Sequence, residues 1–385
     1  MHQPISLVKY VILFQKGCFS EAMTKGKMIA DSLLKWFEYS RRELPWREDR
    51  TAYGTWISET MLQQTRVTTV IPYFKRFLTL FPDIPSLAKA PQQEVYKAWE
   101  GLGYYSRAAN LQKGAIFMTE HLGGELPADY HQLLTIPGIG PYTAGAIASL
   151  AFGLSEPAVD GNVIRVFARL YALFVYPQDT KARSLVSGIV KEMLPADQPG
   201  DFNEAVMDLG ASICIPGNPS CGVCPLSANC EAFLIGRQNE LPLRKPKKEI
   251  PVIPYTIVVL RKGDDLFVRQ RPESGLLANL FEFPSYTGFL STEELSEHLR
   301  LDYRIFPDQI LSVTELGGAS HTFSHIKWEM QGYLVVLSDD QKISQPLLFS
   351  EKPVQGDFYP LQMLQKQAFP SALKAYTSVV IQTRS

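Results

Sequence analysis

The chain has 385 residues, 45% of them hydrophobic, and a formal net charge of -1 at pH 7. This length and composition are typical of a globular protein with two domains, and no apolar run approaches the roughly 18 residues of a membrane span. The global excess of positive charge common in nucleic-acid-binding proteins is missing, so charge neither names nor excludes a polyanionic partner.

Residues 1–25 are expected to lie outside the fold as a leader, with Met23 or Met28 as a possible true start. Their apolar run is interrupted by Lys9 and lacks the small-residue cleavage site of a secretory signal. We therefore expect a cytoplasmic protein in which Cys18 is an incidental free thiol.

Residues 26–235 show apolar spacing that is mostly helical, as in KMIADSLLKWFEYS and GNVIRVFARLYALF, which predicts an all-α domain. Residues 236–250 contain LPLRKPKKEI, rich in proline and lysine, and are expected to form a linker. Residues 251–385 are expected to form an α+β domain. Its strands are predicted at YTIVVLRK, DLFVRQR, LFEFPSY and IKWEMQGYLVVL, and its helices at STEELSEHL and LQKQAFPSALKAYTSVV.

Four of the five cysteines lie in CIPGNPSCGVCPLSANC. They are Cys214, Cys221, Cys224 and Cys230. Four thiols on so short a loop can converge on one metal centre, which in a cytoplasmic chain outranks disulfides. Zinc and iron-sulfur clusters both accept four thiolates. The uneven spacing is not the paired C-x2-C arrangement of most zinc ribbons.

The segment DYHQLLTIPGIGPYTAGAIASL predicts a helix, a tight hairpin and a second helix. Gly138 and Gly140 would supply conformations closed to larger residues, and Pro141 suits a first helical turn. A dinucleotide-binding loop would need a third glycine where Thr143 stands. The N–H groups of Gly138, Ile139 and Gly140 suit a phosphate oxygen, although the hairpin alone is equally compatible with an ordinary helix-helix turn.

Asp160 follows twenty residues after Gly140, directly before Gly161 and an amphipathic run. That position predicts a helix N-cap, where N–H donors and the helix dipole keep a carboxylate ionised. Alone, such a residue is usually only a cap. A hairpin, a helix and an aspartate at this distance are the signature of the helix-hairpin-helix DNA glycosylases.

The chain resembles the MutY family of adenine DNA glycosylases, within the endonuclease III superfamily, from about Leu34 to the C-terminus. The matching motifs are LPWR (44–47), SETMLQQTRV (58–67), GLGYYSRA (101–108), PGIGPYTAGAI (137–147), DGNVIRV (160–166), FNEAVMDLGA (202–211), the cysteine loop and HTFSH (321–325). The resemblance implies an all-α helix-hairpin-helix glycosylase domain with a 4Fe-4S cluster loop at 214–230. It also implies a Nudix-like C-terminal domain. Because the sequence lacks the acidic REx2EE cluster that would hold magnesium, this domain is expected to recognise 8-oxoguanine and not to hydrolyse pyrophosphate.

Breaking an N-glycosidic bond requires an acid for the leaving base and negative charge for the sugar cation. By resemblance, Glu59 is the acid and Asp160 the stabilising carboxylate. The apolar neighbours Trp56, Ile57 and Met61 would raise the pKa of Glu59, although without the motif a helix glutamate is usually solvated.

The resemblance assigns further residues to four roles. Tyr142 and Asn162 support Asp160, and the adenine pocket is lined by Trp46, Arg47 and Glu204. The residues at the lesion pair are Leu62, Gln64, Thr65, Leu102 and Tyr104. Phe323, Ser324 and His325 contact 8-oxoguanine. Tyr142 stands where related lyases carry the lysine of a Schiff base, which implies a monofunctional enzyme.

The expected function is excision of adenine paired with 8-oxoguanine or guanine in double-stranded DNA, by a monomer. Three alternatives stay open: a bifunctional endonuclease III-like glycosylase/lyase, a Nudix nucleotide hydrolase, and a non-catalytic iron-sulfur DNA-binding protein. Tyr142 argues against the lyase, and the missing acidic cluster argues against the hydrolase. The pair formed by Glu59 and Asp160 argues against a non-catalytic protein.

Overall fold

The computed structural model describes residues 19–246, 249–338 and 356–381, so Cys18 lies outside the described residues. The described chain divides into two compact units. One contains residues 19–89 and 110–246; the other contains residues 90–109 with the chain from 249 onward. No helix in the described ranges is long and apolar enough to cross a membrane.

Helices account for the secondary structure of the chain up to residue 246. Its α-helices are α1 Phe19–Ser40, α2 Pro45–Glu48, α3 Ala52–Leu62, α4 Val67–Leu80, α5 Ile84–Lys89, α6 Gln92–Trp99, α7 Ser106–His121, α8 Tyr130–Leu133, α9 Pro141–Phe152, α10 Gly161–Leu170, α11 Thr180–Met193, α12 Pro199–Ser212 and α13 Glu231–Leu234. Of the residues expected to lie outside the fold, 19–25 form the first turns of α1, and 1–18 lie outside the described residues.

The main core of the helical unit is formed by α1, α10, α11 and α12. Leu33, Phe167, Val190 and Phe202 are at most 1% exposed within it. Each fully buried side chain of this kind contributes roughly 1.5–3 kcal/mol. One face of α10 packs in this core, and this packing fixes the position of its N-terminal end and of its exposed face.

The hairpin between α8 and α9 is as expected except at one glycine. Gly138 has φ +84°, and a Cβ there would lie 2.7 Å from Asn110 Cβ, so only glycine fits. Gly140 has φ -94° as the N-cap of α9, with open space around it. The expectation that Gly140 needs a conformation closed to larger residues is therefore wrong. Pro141 occupies the first turn of α9 as expected.

The C-terminal unit contains a seven-stranded sheet. Its strands are β1 Val252–Lys262, β2 Asp265–Gln270, β3 Phe281–Glu282, β4 Ser285–Thr287, β5 Ile310–Thr322, β6 Lys327–Leu337 and β7 Asp357–Pro360. The order is β3-β2-β1-β6-β5, with β4 on β1 and β7 on β2; only β1 and β6 run parallel. The same unit contains the helices α14 Thr292–Tyr303, α15 Leu361–Leu364 and α16 Lys374–Val380. Val258 and Val259, neighbours in β1, belong to separate buried clusters, so the sheet has a packed core on each face.

The boundary between the two units differs from the expected one in two places. Residues 241–246 belong to the helical unit, because Leu241 O accepts from Arg169 Nε at 2.9 Å and Leu243 N donates to Val175 O. Residues 90–109 belong to the C-terminal unit, where Tyr105 Oη donates to Phe369 O at 3.3 Å. A division by sequence order alone therefore does not describe the fold.

Candidate active site

Glu59 lies on the buried face of α3 and is 6% exposed. Its Oε2 accepts a hydrogen bond from Tyr142 Oη. Burial above all, together with the charges of Glu204 and Asp160, raises the pKa of Glu59 to about 7, against the lowering by the Tyr142 hydroxyl and by Arg47. The expected rise in this pKa is therefore what the structure gives, and Glu59 exchanges a proton near neutrality.

Tyr142 lies in the first turn of α9, directly after the hairpin. Burial and the neighbouring carboxyl groups of Glu59 and Asp160 hold its pKa well above the ordinary value. The hydroxyl also lies 3.7 Å from Met207 Sδ. Tyr142 is therefore a neutral hydrogen-bond donor fixed on Glu59.

Asp160 is the N-cap of α10, as the sequence predicts. Its Oδ1 accepts from Val163 N at 2.7 Å and its Oδ2 accepts from Asn162 Nδ2 at 2.7 Å. Burial nevertheless raises the pKa of Asp160 above its ordinary value, because desolvation outweighs these donors. The cap is confirmed, and the expectation that capping would dominate the ionisation of this carboxyl is wrong.

A chain of hydrogen bonds connects Asp160 to the cysteine loop. Arg165 Nη2 donates to Asn162 Oδ1 at 2.8 Å, which turns the amide nitrogen of Asn162 toward Asp160. Arg165 Nε donates to Cys214 O at 2.8 Å. Arg165, on α10, therefore helps to orient Asp160 and also contacts the cysteine loop.

The residues expected in the adenine pocket form part of a buried ionic network. Arg47 Nε lies 3.0 Å from Glu204 Oε1, and its two terminal nitrogens form a fork with Asp208 at 2.9 and 3.1 Å. Arg50 Nη2 lies 2.7 Å from Glu204 Oε2, and Arg42 also pairs with Asp208. Such bidentate pairs fix the plane of a guanidinium.

The sequence reasoning missed Asp208, Arg42 and Arg50. A signal existed for Asp208, because it follows Glu204 by four residues and therefore lies on the same face of α12. Trp46 is 6% exposed and packs edge-on against Phe74, with ring centroids 5.4 Å apart.

The electrostatic influence of Arg47, Asp160, Tyr142 and Glu204 on Glu59 shows that the structure brings these five side chains together. A cavity of about 480 Å³ in the helical unit is lined by Asp160 and Asn162 but not by Glu59 or Glu204. Asp160 therefore lies between the buried carboxyl groups and this more open cavity.

Two of the expected lesion residues have unusual backbones. Gln64 has φ +59° and Tyr104 has φ +49°, the left-handed region that residues with a Cβ rarely occupy. Both are exposed, Tyr104 by 48%. Leu102 is 6% exposed and belongs to the core. Leu62 and Thr65 are half-buried.

The loop Phe323–His325 joins β5 to β6, closed by a hydrogen bond from Phe323 N to Ile326 O at 2.8 Å. Ser324 and His325 are exposed. Phe323 is half-buried against Trp328, with ring centroids 4.9 Å apart. The loop therefore presents two polar side chains beside one anchored aromatic ring.

The four cysteines are free, half-buried thiols on a loop with short 3-10 turns at Cys221–Val223 and Ser227–Asn229. Burial and, to a smaller extent, the other three thiols raise the pKa of Cys224 to about 12. The thiols therefore lie within electrostatic range of each other. Among the described residues, no three His, Cys, Asp or Glu side chains are already arranged to hold a metal ion.

Comparison with known proteins gives matches in both units. Residues 57–192, which include Glu59 and Asp160, match the HhH-GPD superfamily of base excision DNA repair proteins, and residues 255–378 match the NUDIX domain family. Among solved structures, a thermostable thymine-DNA glycosylase aligns with a TM-score of 0.52 and 29% identity, over 55% of this chain and 98% of that one.

Curated relatives extend the similarity across both units. The adenine DNA glycosylase of Mus musculus is 37% identical over 362 residues, covering 80% of this chain and 70% of its own. The human protein is 36% identical over 369 residues, covering 81% and 68%. The Buchnera aphidicola (Schizaphis graminum) protein is 36% identical over 307 residues, covering 80% and 87%. The chain therefore belongs to the adenine DNA glycosylase family.

Proposed function

We propose that this adenine DNA glycosylase removes adenine paired with 8-oxoguanine or guanine and leaves the DNA strand intact. The observation that carries the proposal is one buried site with two carboxyl groups in different surroundings. Glu59, with a pKa of about 7, is bonded to a tyrosine hydroxyl, and Asp160 is capped by N–H donors.

Glu59 acts as the general acid. Tyr142 occupies Oε2, so the transferable proton resides on Oε1, where it can be given to a ring nitrogen of adenine. As the bond between C1′ and N9 breaks, its electron pair leaves with the protonated base. The resulting Glu59 carboxylate then accepts a proton from the attacking water.

Asp160 stabilises the sugar cation that forms at C1′. Its donors Val163 N and Asn162 Nδ2 hold both oxygens in place, so little reorganisation accompanies the charge development. Arg47 and Glu204, fixed by the ionic network, present hydrogen-bonding groups to the edge of the base.

Strand cleavage by a lyase needs an amine that forms a Schiff base with the sugar. The residue after the hairpin is Tyr142, a neutral phenol bonded to Glu59. Borohydride treatment during turnover is therefore expected to trap no covalent adduct. An adduct of wild-type protein that persists in the Tyr142→Phe variant would favour the bifunctional alternative.

Recognition of the lesion pair is assigned to both units. The target adenine must leave the duplex, and Gln64 and Tyr104 would fill the space, since each is exposed on a constrained backbone. Phe323, Ser324 and His325 would contact 8-oxoguanine. The N–H groups of Gly138, Ile139 and Gly140 would hold a phosphate.

The four cysteine thiols would hold a 4Fe-4S cluster. The donor set fits, because four free thiols lie on one loop, burial and neighbouring thiols raise the pKa of Cys221, Cys224 and Cys230, and a cationic metal centre would stabilise their thiolates. When bound, the cluster would cross-link the loop that contacts α10 through Arg165 and Arg169. Iron and sulfide content, with the visible absorption of the purified protein, tests this assignment.

The decisive experiment uses duplexes with adenine opposite 8-oxoguanine, guanine or cytosine, followed by alkali to cut abasic sites. We expect product with the first two duplexes, fastest with 8-oxoguanine, and strand breaks only after alkali. Equal rates on all three duplexes, or breaks without alkali, would contradict the proposal.

A further inference from the structure

The cavity beside Asp160 is lined by four cations, of which only Arg165 is connected to the proposed adenine chemistry, through Asn162. Its wall combines the N-terminal turns of α10 with residues 241–245, at the end of the helical unit. The charged side chains in the lining are four cations and one carboxylate. These are Arg165, Arg169, Arg244, Lys245 and Asp160. Counting Asp179, which pairs with Lys245 at 2.8 Å, two positive charges remain in excess.

These cations differ from the arginines of the adenine pocket in their partners. Arg47 bonds to two carboxylates. Arg165, by contrast, donates to the carbonyl oxygens of Cys214 and Gly210 and to the amide oxygen of Asn162, all of them neutral. Among the described side chains no carboxylate forms a salt bridge with Arg165, so its half-buried charge favours an anion in the cavity.

Arg169 contributes less to this excess. It donates to the carbonyl oxygens of Leu241 and Ile215, and to Cys214 Sγ at 3.2 Å. If Cys214 is a thiolate ligand of the cluster, that thiolate compensates the charge of Arg169. The available cations are then Arg165, Arg244 and Lys245.

We propose that this cavity receives a backbone phosphate of the DNA strand that carries the target adenine, held by Arg244 and Lys245 with Arg165 behind them. The inference rests on the proposed function, in which Asp160 faces the sugar of that nucleotide. The sugar of a nucleotide is joined to one phosphate through its 5′ oxygen and to the next through its 3′ oxygen, whether or not the base is stacked in the duplex. A sugar at Asp160 therefore has its own phosphates beside it, at the wall that Asp160 shares with the cavity.

The existing ion pair of Lys245 does not oppose this assignment. Both Lys245 and Asp179 are exposed, with side-chain exposures of 53% and 45%. Surface pairs of this kind contribute about 0–1 kcal/mol, so a phosphate can replace Asp179 as the partner of Lys245. Arg244 is also exposed.

The test is a thermodynamic binding cycle that combines protein variants with DNA in which one phosphate is replaced by a neutral methylphosphonate. Duplexes contain 8-oxoguanine opposite a 2′-fluoroadenosine, whose fluorine suppresses departure of the base, and the methylphosphonate lies 5′ or 3′ of that nucleotide. Binding is measured for wild type, for Arg244→Ala/Lys245→Ala, and for Lys27→Ala/Lys35→Ala, which removes two exposed charges from α1.

At one of the two linkages, the neutral methylphosphonate is expected to weaken wild-type binding roughly tenfold, because one or two charged hydrogen bonds are lost. It should hardly affect the Arg244→Ala/Lys245→Ala protein, whose plot of log affinity against log salt should be shallower by about 1. The Lys27→Ala/Lys35→Ala protein should behave as wild type. Equal methylphosphonate losses in wild type and Arg244→Ala/Lys245→Ala at both linkages would overturn the proposal.

A free phosphate is the other source of the same chemistry. If inorganic phosphate raises the melting temperature of wild type but not of Arg244→Ala/Lys245→Ala, while the two proteins bind duplex equally, the cavity holds free phosphate and the proposal fails. Release of adenine is assayed separately with unmodified duplexes. Failure of that assay would refute the proposed function without altering the result of the binding cycle.

Discussion

Glu59 and Asp160 are both shifted toward the neutral form by burial, but different groups oppose the shift. Burial and two nearby carboxyl groups raise the pKa of Glu59 to about 7, opposed by the Tyr142 hydroxyl and by Arg47. Asp160 accepts from a backbone N–H and a side-chain amide at the start of a helix. In the proposed mechanism, the same residue class thus supplies an acid and a charge-stabilising carboxylate within one site.

The pH dependence of adenine release follows from the pKa of Glu59. A general acid must hold its proton, so the single-turnover rate is expected to fall tenfold per pH unit above about pH 7. A pH profile between 5 and 9, at saturating enzyme, measures this. Tyr142→Phe removes a donor that lowers this pKa, so its decline should begin at higher pH. A profile that stays flat to pH 9 would exclude Glu59 as the acid.

Protein stability should respond to the same titration. The folded state holds the Glu59 proton up to about pH 7, whereas the ordinary pKa is 4.5. Stability is therefore lost as pH rises between these values, by on the order of 3 kcal/mol at about 1.4 kcal/mol per unit. At pH 8, Glu59→Gln should be the more stable protein in denaturant unfolding, and near pH 4 the difference should vanish. A variant that is less stable at both pH values would contradict the assignment.

The surroundings of Glu59 were predictable from the sequence because its apolar neighbours lie on the same short helix. Asp208 was not predicted, because its forked contact with Arg47 joins residues that are 161 positions apart. The expected backbone conformation of Gly140 was wrong for a different reason. A glycine at a hairpin suggests a positive φ, but here only Gly138 has one.

Asp160 and Asp129 each cap a short helix, and a comparison of the two separates capping from catalysis. Asp160 caps α10, and Asp129 caps α8 by accepting from Gln132 N at 2.7 Å. Asparagine caps a helix about as well as aspartate does. Asp160→Asn and Asp129→Asn should therefore both fold, with changes in unfolding free energy below about 1 kcal/mol.

Only Asp160→Asn should abolish adenine release, because in the proposed mechanism Asp160, and not Asp129, supplies negative charge to the sugar cation. Single-turnover rates and duplex affinities of the two variants measure the contrast, and binding by Asp160→Asn should stay near the wild-type value. Equal adenine release by the two variants would limit Asp160 to a structural cap.

Among the elements, β5 was the largest omission. Its 13 residues include Gly317 and Gly318 and are mostly exposed, since β5 is an edge strand with bulges in its pairing to β6. Alternating burial, the main signal for a strand, is therefore weak there. The predicted C-terminal helix is also interrupted, at the segment before Pro370. The helical half was easier to predict because its apolar residues recur on one face.

At the scale of the whole molecule, residues 90–109 fold with the C-terminal unit. Four side chains of this segment bond to its backbone. Gln93 donates to Asn279 O, Lys97 to Gln367 O and Tyr105 to Phe369 O, while Glu100 accepts from Phe369 N. Such pairing between distant parts of the sequence has no local signal, so a boundary placed at the linker could not reveal it.

The same unit therefore contains Tyr104, a proposed lesion residue, and the loop Phe323–His325. Weakening the anchor of residues 90–109 should affect discrimination between lesion pairs more than the chemistry itself. Tyr105→Phe with Glu100→Gln removes or weakens two hydrogen bonds to Phe369, each contributing about 1 kcal/mol. The preference for A:8-oxoguanine over A:G should fall severalfold, measured as the ratio of kcat/KM. Tyr39→Phe, which alters a tyrosine that is 77% exposed, is the control and should keep the wild-type ratio. If Tyr105→Phe with Glu100→Gln lowers both rates equally, the segment supports the fold without contributing to the choice of lesion pair.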